Sequence, residues 1–232
     1  SEAEFKSCTV MHSRFNQVLR SVRSALAHPG DDAIVLIVGP TGVGKSRLLN
    51  RLKFDLTEAA QDEMLVDPGF IPVLLVEARK PDSKGPFNWR EYYDRILFQA
   101  QEVLIDKKLE PDRAQDLRTN KKYTGLQYAS KPADLRFAVE QCLRYRRVKT
   151  LLTDEAQSLT VISTGRKLVD QMDNIKSLSN LTSVTHTLAA TYEGLALIQL
   201  SDQLCRRITV IEFPRYLPTT TDDIDIHAFQ DT

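Results

Sequence analysis

The sequence predicts an α/β fold, a parallel β-sheet with helices packed on both faces. Three observations predict it. Short apolar runs rich in β-branched residues recur at 33–38, 71–76, 148–153, 182–190 and 208–213. Segments with helical spacing of apolar residues stand between them, and this alternation is what parallel strands need for their crossovers. The third is Gly39-Pro40-Thr41-Gly42-Val43-Gly44-Lys45-Ser46, which fits G-x-x-x-x-G-K-[ST] at every position and lies between a strand and a helix.

The elements follow in order. Phe15, Leu19, Val22 and Leu26 fall at i, i+4, i+7 and i+11, which predicts an amphipathic helix over 12–27, stopped by Pro29-Gly30. Ala33 to Val38 reads as a strand buried on both faces. Leu48, Leu49, Leu52 and Leu56 resume helical spacing, so the strand–loop–helix unit fills 33–60. Pro68-Gly69 marks a turn before the second strand, and 78–86 reads as an exposed loop. A helix over 88–105 puts Trp89, Tyr93, Ile96, Leu97 and Ala100 on one face. Residues 106–129 are polar and aperiodic, a loop or insertion. Ser130 reads as an N-cap with Pro132 and Asp134 in the first turn, and Leu135, Ala138, Val139, Cys142 and Leu143 form that helix's apolar stripe. Further helices are predicted over 163–178 and, briefly, 194–200.

A chain of 232 residues suffices for one α/β domain with a sizeable core, or such a domain with a small appendage. The division read here is an N-terminal helical segment (1–30), an α/β core (31–216) and an acidic stub (217–232) with Asp222, Asp223, Asp225 and Asp231. Lys+Arg and Asp+Glu both number 31, so net charge is zero. Nucleic-acid binding would therefore need a local patch. Residues 118–149 supply one, with nine Lys and Arg against Asp134 and Glu140. Cys8, Cys142 and Cys205 lie far apart, which argues against a disulfide framework and for a reducing compartment. The histidines lack metal-ligand spacing, and no apolar run reaches the ~18 residues of a membrane span.

The glycine loop carries the chemistry. Gly42 and Gly44 let backbone N–H groups approach a phosphate, and the following helix adds its positive dipole end. Lys45 is placed to reach β- and γ-phosphates, and the Ser46 hydroxyl to ligate Mg²⁺. The whole cradle is Gly39, Pro40, Thr41, Gly42, Val43, Gly44, Lys45, Ser46 and Arg47. ATP with Mg²⁺ is the expected cofactor. The strand at 148–153 runs into Asp154-Glu155. Asp154 lies at a strand's C-terminal end, where ligands bind in open α/β sheets, and is the second candidate for Mg²⁺. Glu155 can orient or deprotonate an attacking water. The alternative is a helix N-terminus decorated with acids. An extra strand between the two motifs, together with Glu155, points to the hydrolytic branch of P-loop proteins.

Thr191 ends the fourth strand, where its hydroxyl can bind a γ-phosphate or the lytic water, or merely close a turn. Arg206 and Arg207 precede the fifth strand and can reach a neighbouring subunit's γ-phosphate, or form an exposed basic pair. Arg144, Arg146 and Arg147 end a helix, where cations are locally favourable. Lys80, Lys84, Arg90, Lys121, Lys122 and Lys131 lie in or near loops and helix starts, as DNA phosphate contacts or as solvated surface charges.

This order of motifs resembles an AAA+ ATPase: an N-terminal helix, Gly39–Ser46, Asp154-Glu155-Ala156-Gln157, a strand ending at Thr191, then Leu204-Cys205-Arg206-Arg207-Ile208. Within that class it is similar to the TnsC/TniB-type regulators of DNA transposition, in the short spacing from Asp154 to Thr191 and the arginine pair and in Lys84-Gly85-Pro86 before an aromatic helix. The resemblance covers roughly residues 10–216. It implies a five-stranded parallel sheet of order 5-1-4-3-2, ATP hydrolysis, and a homo-oligomeric ring or helical filament around double-stranded DNA. It also implies a link between a target selector and a transposase, in the bacterial cytoplasm and away from membranes. The neighbourhoods of Lys84–Arg90 and Ser130-Lys131 would face the DNA, and Arg207 would match the trans-acting finger better than Arg206. That family continues past its fifth strand into a helical lid, whereas about 16 residues follow Tyr216 here, so the lid is expected to be absent or truncated. The rival readings are an origin-type or IstB-like DNA-loading ATPase, a signalling NTPase switch with no DNA role, and a small-molecule kinase, the last disfavoured by Glu155.

Overall fold

The computed structural model describes residues 13–27, 34–80, 85–102, 132–161, 168–198 and 208–215. The expectations for residues 106–129, the Ser130 cap and the C-terminal lid lie outside them. The elements are α1 (Ser13–Ala27), β1 (Ile34–Val38), α2 (Lys45–Ala59), α3 (Gln61–Val66), β2 (Val73–Glu77), α4 (Trp89–Gln99), α5 (Pro132–Tyr145), β3 (Thr150–Asp154), α6 (Leu168–Thr182), β4 (Thr185–Ala190) and β5 (Ile208–Glu212). Two 3₁₀ turns, Ala156–Thr160 and Tyr192–Leu197, follow β3 and β4.

All five strands are parallel, in the order β2-β3-β4-β1-β5, which is 5-1-4-3-2 read from the other edge. β1 is buried along its whole length, as its unbroken Ile-Val-Leu-Ile-Val run requires. The two faces carry separate cores. On one, Phe15, Val18, Leu19 and Val22 of α1 and Leu48, Leu49 and Leu52 of α2 pack on Ile37, Val73, Leu152 and Ala189. On the other, α4, α5 and α6 bring Trp89, Tyr92, Ile96, Leu135, Val139, Met172 and Ile175 onto Ile34, Leu36, Leu151 and Leu188.

Boundaries differ where polar groups take over the backbone. β2 and β3 begin two residues later than predicted, because the Ile71 N–H donates to Arg146 O and the Val148 N–H to Leu143 O. α6 runs on to Thr182, so β4 starts at Thr185. Thr182 Oγ1 donates to Leu178 O, and Ser183 closes the turn with φ of 58°. α4 opens on Asn88, whose side chain accepts the Glu91 N–H at 3.2 Å, and stops at Gln99. α3 was not foreseen. It buries no side chain and is tied down by ion pairs from Lys149 to Glu63 and from Arg147 to Asp67. Arg144 donates to Leu181 O and Arg146 to Glu102, so all three of those arginines serve packing around the strand entrances.

One buried group carries a pH consequence. His186 on β4 is fully buried, and neither ring nitrogen has a partner among the described residues. Burial pushes its pKa down to about 4. An unfolded histidine titrates near 6.5, so between those values the unfolded chain binds the proton and the folded chain resists it. Stability is therefore expected to fall by about 3 kcal/mol as pH drops from about 6.5 to 4, and to level off below. His186→Leu should remove that acid loss. Urea midpoints of the two proteins at pH 7 and pH 4.5 check this, since equal acid sensitivity would place the loss elsewhere.

Candidate active site

Parallel strands put all five C-terminal ends on one edge of the sheet. Val38 pairs with Ala190 and with Glu212, and Glu77 pairs with Asp154. β4 lies between β1 and β3, so Thr191 emerges between the glycine loop and Asp154-Glu155. β2 sits at the far edge of the sheet, and β4 is the strand that separates the two motifs in space.

The loop is built against β5. The Gly39 N–H donates to Ala190 O at 3.2 Å and the Phe213 N–H to Val38 O at 2.7 Å. A Cβ at Gly39 would meet the Phe213 carbonyl oxygen at 2.3 Å, so the close approach admits only glycine. Phe213 is in turn held edge-on by Phe15, with ring centroids 6.2 Å apart. Gly44 stands at the α2 N-cap with φ of 107° and ψ of 18°, a left-handed conformation that glycine adopts at no steric cost. No side chain caps α2, which leaves its first N–H groups facing the loop. Thr41, Gly42, Ser46 and Arg47 are exposed, while Pro40 and Val43 are half-buried.

Lys45 is buried, with 7 % of its surface exposed. Its Nζ donates to Gly39 O at 2.9 Å and Pro40 O at 2.8 Å. Burial lowers its pKa, and the nearby Glu155 and Asp154 carboxylates act in the opposite direction. The ammonium is thus held inside the loop by carbonyl dipoles and faced by the two acids.

Asp154 is half-buried at the end of β3, and its Oδ1 accepts the Glu155 N–H at 2.9 Å. Glu155 is exposed and left-handed, with φ of 54° and ψ of 34°, a conformation uncommon for a residue with a side chain. Thr191 is half-buried, yet its Oγ1 is buried and has no partner among the described residues. Gln157 joins the two, with its Nε2 donating to Glu155 Oε2 at 2.5 Å and its Oε1 accepting the Thr191 N–H at 3.1 Å. Sequence reasoning placed Gln157 in its motif and gave it no role. Its signal was weak, a polar residue two positions after an acid, and only the fold brings it to Thr191.

The structure therefore gathers Gly39 to Arg47, Asp154, Glu155 and Thr191 at one edge. Arg206 and Arg207 lie outside the described residues, as do Lys84, Lys121 and Lys131. Lys80 and Arg90 are exposed, with Arg90 4.0 Å from Asp94. Among the described residues no three His, Cys, Asp or Glu side chains cluster as a metal site. Ser46 and Asp154 offer two hard oxygen donors, the donor type Mg²⁺ takes when phosphate oxygens and water complete its shell, so the residues fit that ion. Among the described residues no helix is long and apolar enough to cross a membrane.

Known folds agree with this geometry. The chain is similar to the ORC2 protein of Aeropyrum pernix in its ADP form, with a TM-score of 0.59 and 14 % identity over 97 % of this chain and 52 % of that one. The same protein in ADPNP–ADP complexes gives 0.59 and 16 %, over 97 % and 51 %. A Walker-type ATPase of Pyrococcus abyssi gives 0.56 and 15 %, over 93 % and 56 %. At these identities the likeness is one of fold, and the chain spans about half the length of those structures. No curated protein matches the chain. A protein-family model described as an AAA domain matches residues 28–198, the greater part of the sequence; the chain belongs to the AAA domain family of P-loop ATPases.

Proposed function

We propose that residues 31–216 form the ATPase core of an ATP-dependent, DNA-binding AAA+ regulator of DNA transposition. The observation that carries the nucleotide half is the convergence of the glycine loop, Asp154-Glu155 and Thr191 on adjacent strand ends. In this reading the loop N–H groups and Lys45 hold the triphosphate. Ser46 and Asp154 hold Mg²⁺, which when bound neutralises charge on the phosphate oxygens. Glu155 takes the proton of a water that attacks the γ-phosphorus as its bond to the β-phosphate oxygen breaks. Thr191 Oγ1, a buried polar atom without a partner among the described residues, contacts the γ-phosphate or that water. Arg207 from a neighbouring copy completes the charge stabilisation, so ATP favours the assembly and hydrolysis releases it.

The transposition half is supported by the TnsC/TniB-like order and spacing of motifs and by the basic stretches near 80–90 and 118–131. The chain would pair with double-stranded DNA, a target selector and a transposase. The fold's likeness to the archaeal ORC2 protein favours a second reading, an origin-type DNA-loading ATPase with the same chemistry and other partners.

A DNA test addresses both. Binding should be sequence-tolerant, dependent on a slowly hydrolysed ATP analogue and strongly weakened by salt. Replacing Lys84, Arg90 and Lys131 together should flatten log K against log salt by roughly 0.9 for each phosphate no longer neutralised, with ATP binding intact. A parental salt slope in the triple variant would remove these residues from the interface. No ATP-dependent duplex binding by the parent would leave the signalling-switch reading in place of both.

A further inference from the structure

We propose that Gln157 is a positioning residue that holds the Glu155 carboxylate in place and couples it to the end of β4. The inference rests on the reading of Glu155 as the water-activating group. Gln157 is buried in the 3₁₀ turn after β3, with 5 % of its surface exposed. Its amide makes both bonds at once, donating to Glu155 Oε2 and accepting from the Thr191 backbone.

Only one amide orientation satisfies both. Flipped, it would set its oxygen against a carboxylate and its NH₂ against an N–H. The network is therefore directional: Thr191 N–H fixes the amide, and the amide fixes the carboxylate. Glu155 needs such a fixture. Its side chain is exposed and its backbone left-handed, so rotamer freedom would otherwise disperse the carboxylate. The far end of the link is Thr191, whose own hydroxyl is buried without a partner among the described residues. A group that engages Thr191 thereby acts on Glu155 through one side chain.

Two substitutions separate the bonds. Gln157→Leu removes both. Gln157→Glu keeps the acceptor for Thr191 and turns the donor into a like charge facing Glu155. In the full chain, each is expected to lower kcat about ten-fold or more, the size of a lost hydrogen bond to a charged group, with KM for ATP within about two-fold of the parent. By NMR of the nucleotide-free protein, Thr191 amide exchange should accelerate in Gln157→Leu and stay slow in Gln157→Glu. In a Glu155→Gln background, Gln157→Leu should leave the residual rate unchanged, because the carboxylate it positions is gone. A parental kcat in both variants, or effects that multiply in the double variant, would overturn the inference. If Gln157→Leu does not fold, the near-isosteric Gln157→Glu decides. A parent that fails to bind ATP defeats the nucleotide reading instead, whereas a parent that hydrolyses ATP unaffected by Gln157 defeats only this inference.

Discussion

Glu155→Gln is expected to bind ATP as the parent does and to turn it over about 10²-fold more slowly or worse. The change keeps the side chain's length and its capacity to accept a hydrogen bond from Gln157 Nε2. On the proposed mechanism it removes the one property the step would need of Glu155, the capacity to take a proton from water. On the proposed reading other residues would hold the ligand, the loop N–H groups and Lys45 the triphosphate and Ser46 and Asp154 its Mg²⁺, so affinity should not follow turnover. On the DNA reading the same variant should also hold the ATP-bound assembly on duplex. Phosphate release under single-turnover conditions, beside a nucleotide titration, checks the split. A variant that hydrolyses at the parental rate would remove Glu155 from the mechanism.

Lys45→Ala is expected to weaken ATP by roughly ten- to hundred-fold, the range given by removing one charge-assisted hydrogen bond of about 1.5–3 kcal/mol. The geometry explains why the effect is not merely that of a surface charge. Nζ is buried between the Gly39 and Pro40 carbonyls, which hold the cation at the loop before any phosphate arrives. A phosphate that binds there meets an ammonium already dehydrated and oriented. Circular dichroism of the variant separates weakened binding from an unfolded loop.

Much of this site is legible in the sequence because its parts are local. The glycine loop is contiguous, its strand is apolar throughout, and Leu48, Leu49 and Leu52 declare the helix that follows. Asp154 is found because it ends an apolar run. The sheet order was what the AAA+ resemblance implied, and it matches the structure. What escaped is what the fold brings together from far apart. Phe213 backs Gly39 from across the sequence, and Gln157 reaches Thr191 over 34 positions. Neither has a periodic signature. α3 escaped for another reason: with no buried face it has no apolar stripe to read, and ion pairs to Arg147 and Lys149 hold it. The ends of α6 and β4 shifted because Ser179, Thr182 and Ser183 settle their polar groups locally, which apolar runs do not report.

The edge formed by Gly39–Ser46, Asp154 and Thr191 stands or falls as one nucleotide site. Calorimetric titration of the parent and of Lys45→Ala with a slowly hydrolysed ATP analogue, with and without Mg²⁺, tests it most directly. The expected result is one site per chain in the parent, tightened by Mg²⁺, displaced by ADP and weakened by the Lys45 substitution. Absence of binding by the folded parent, or equal affinity in the two proteins, would contradict it.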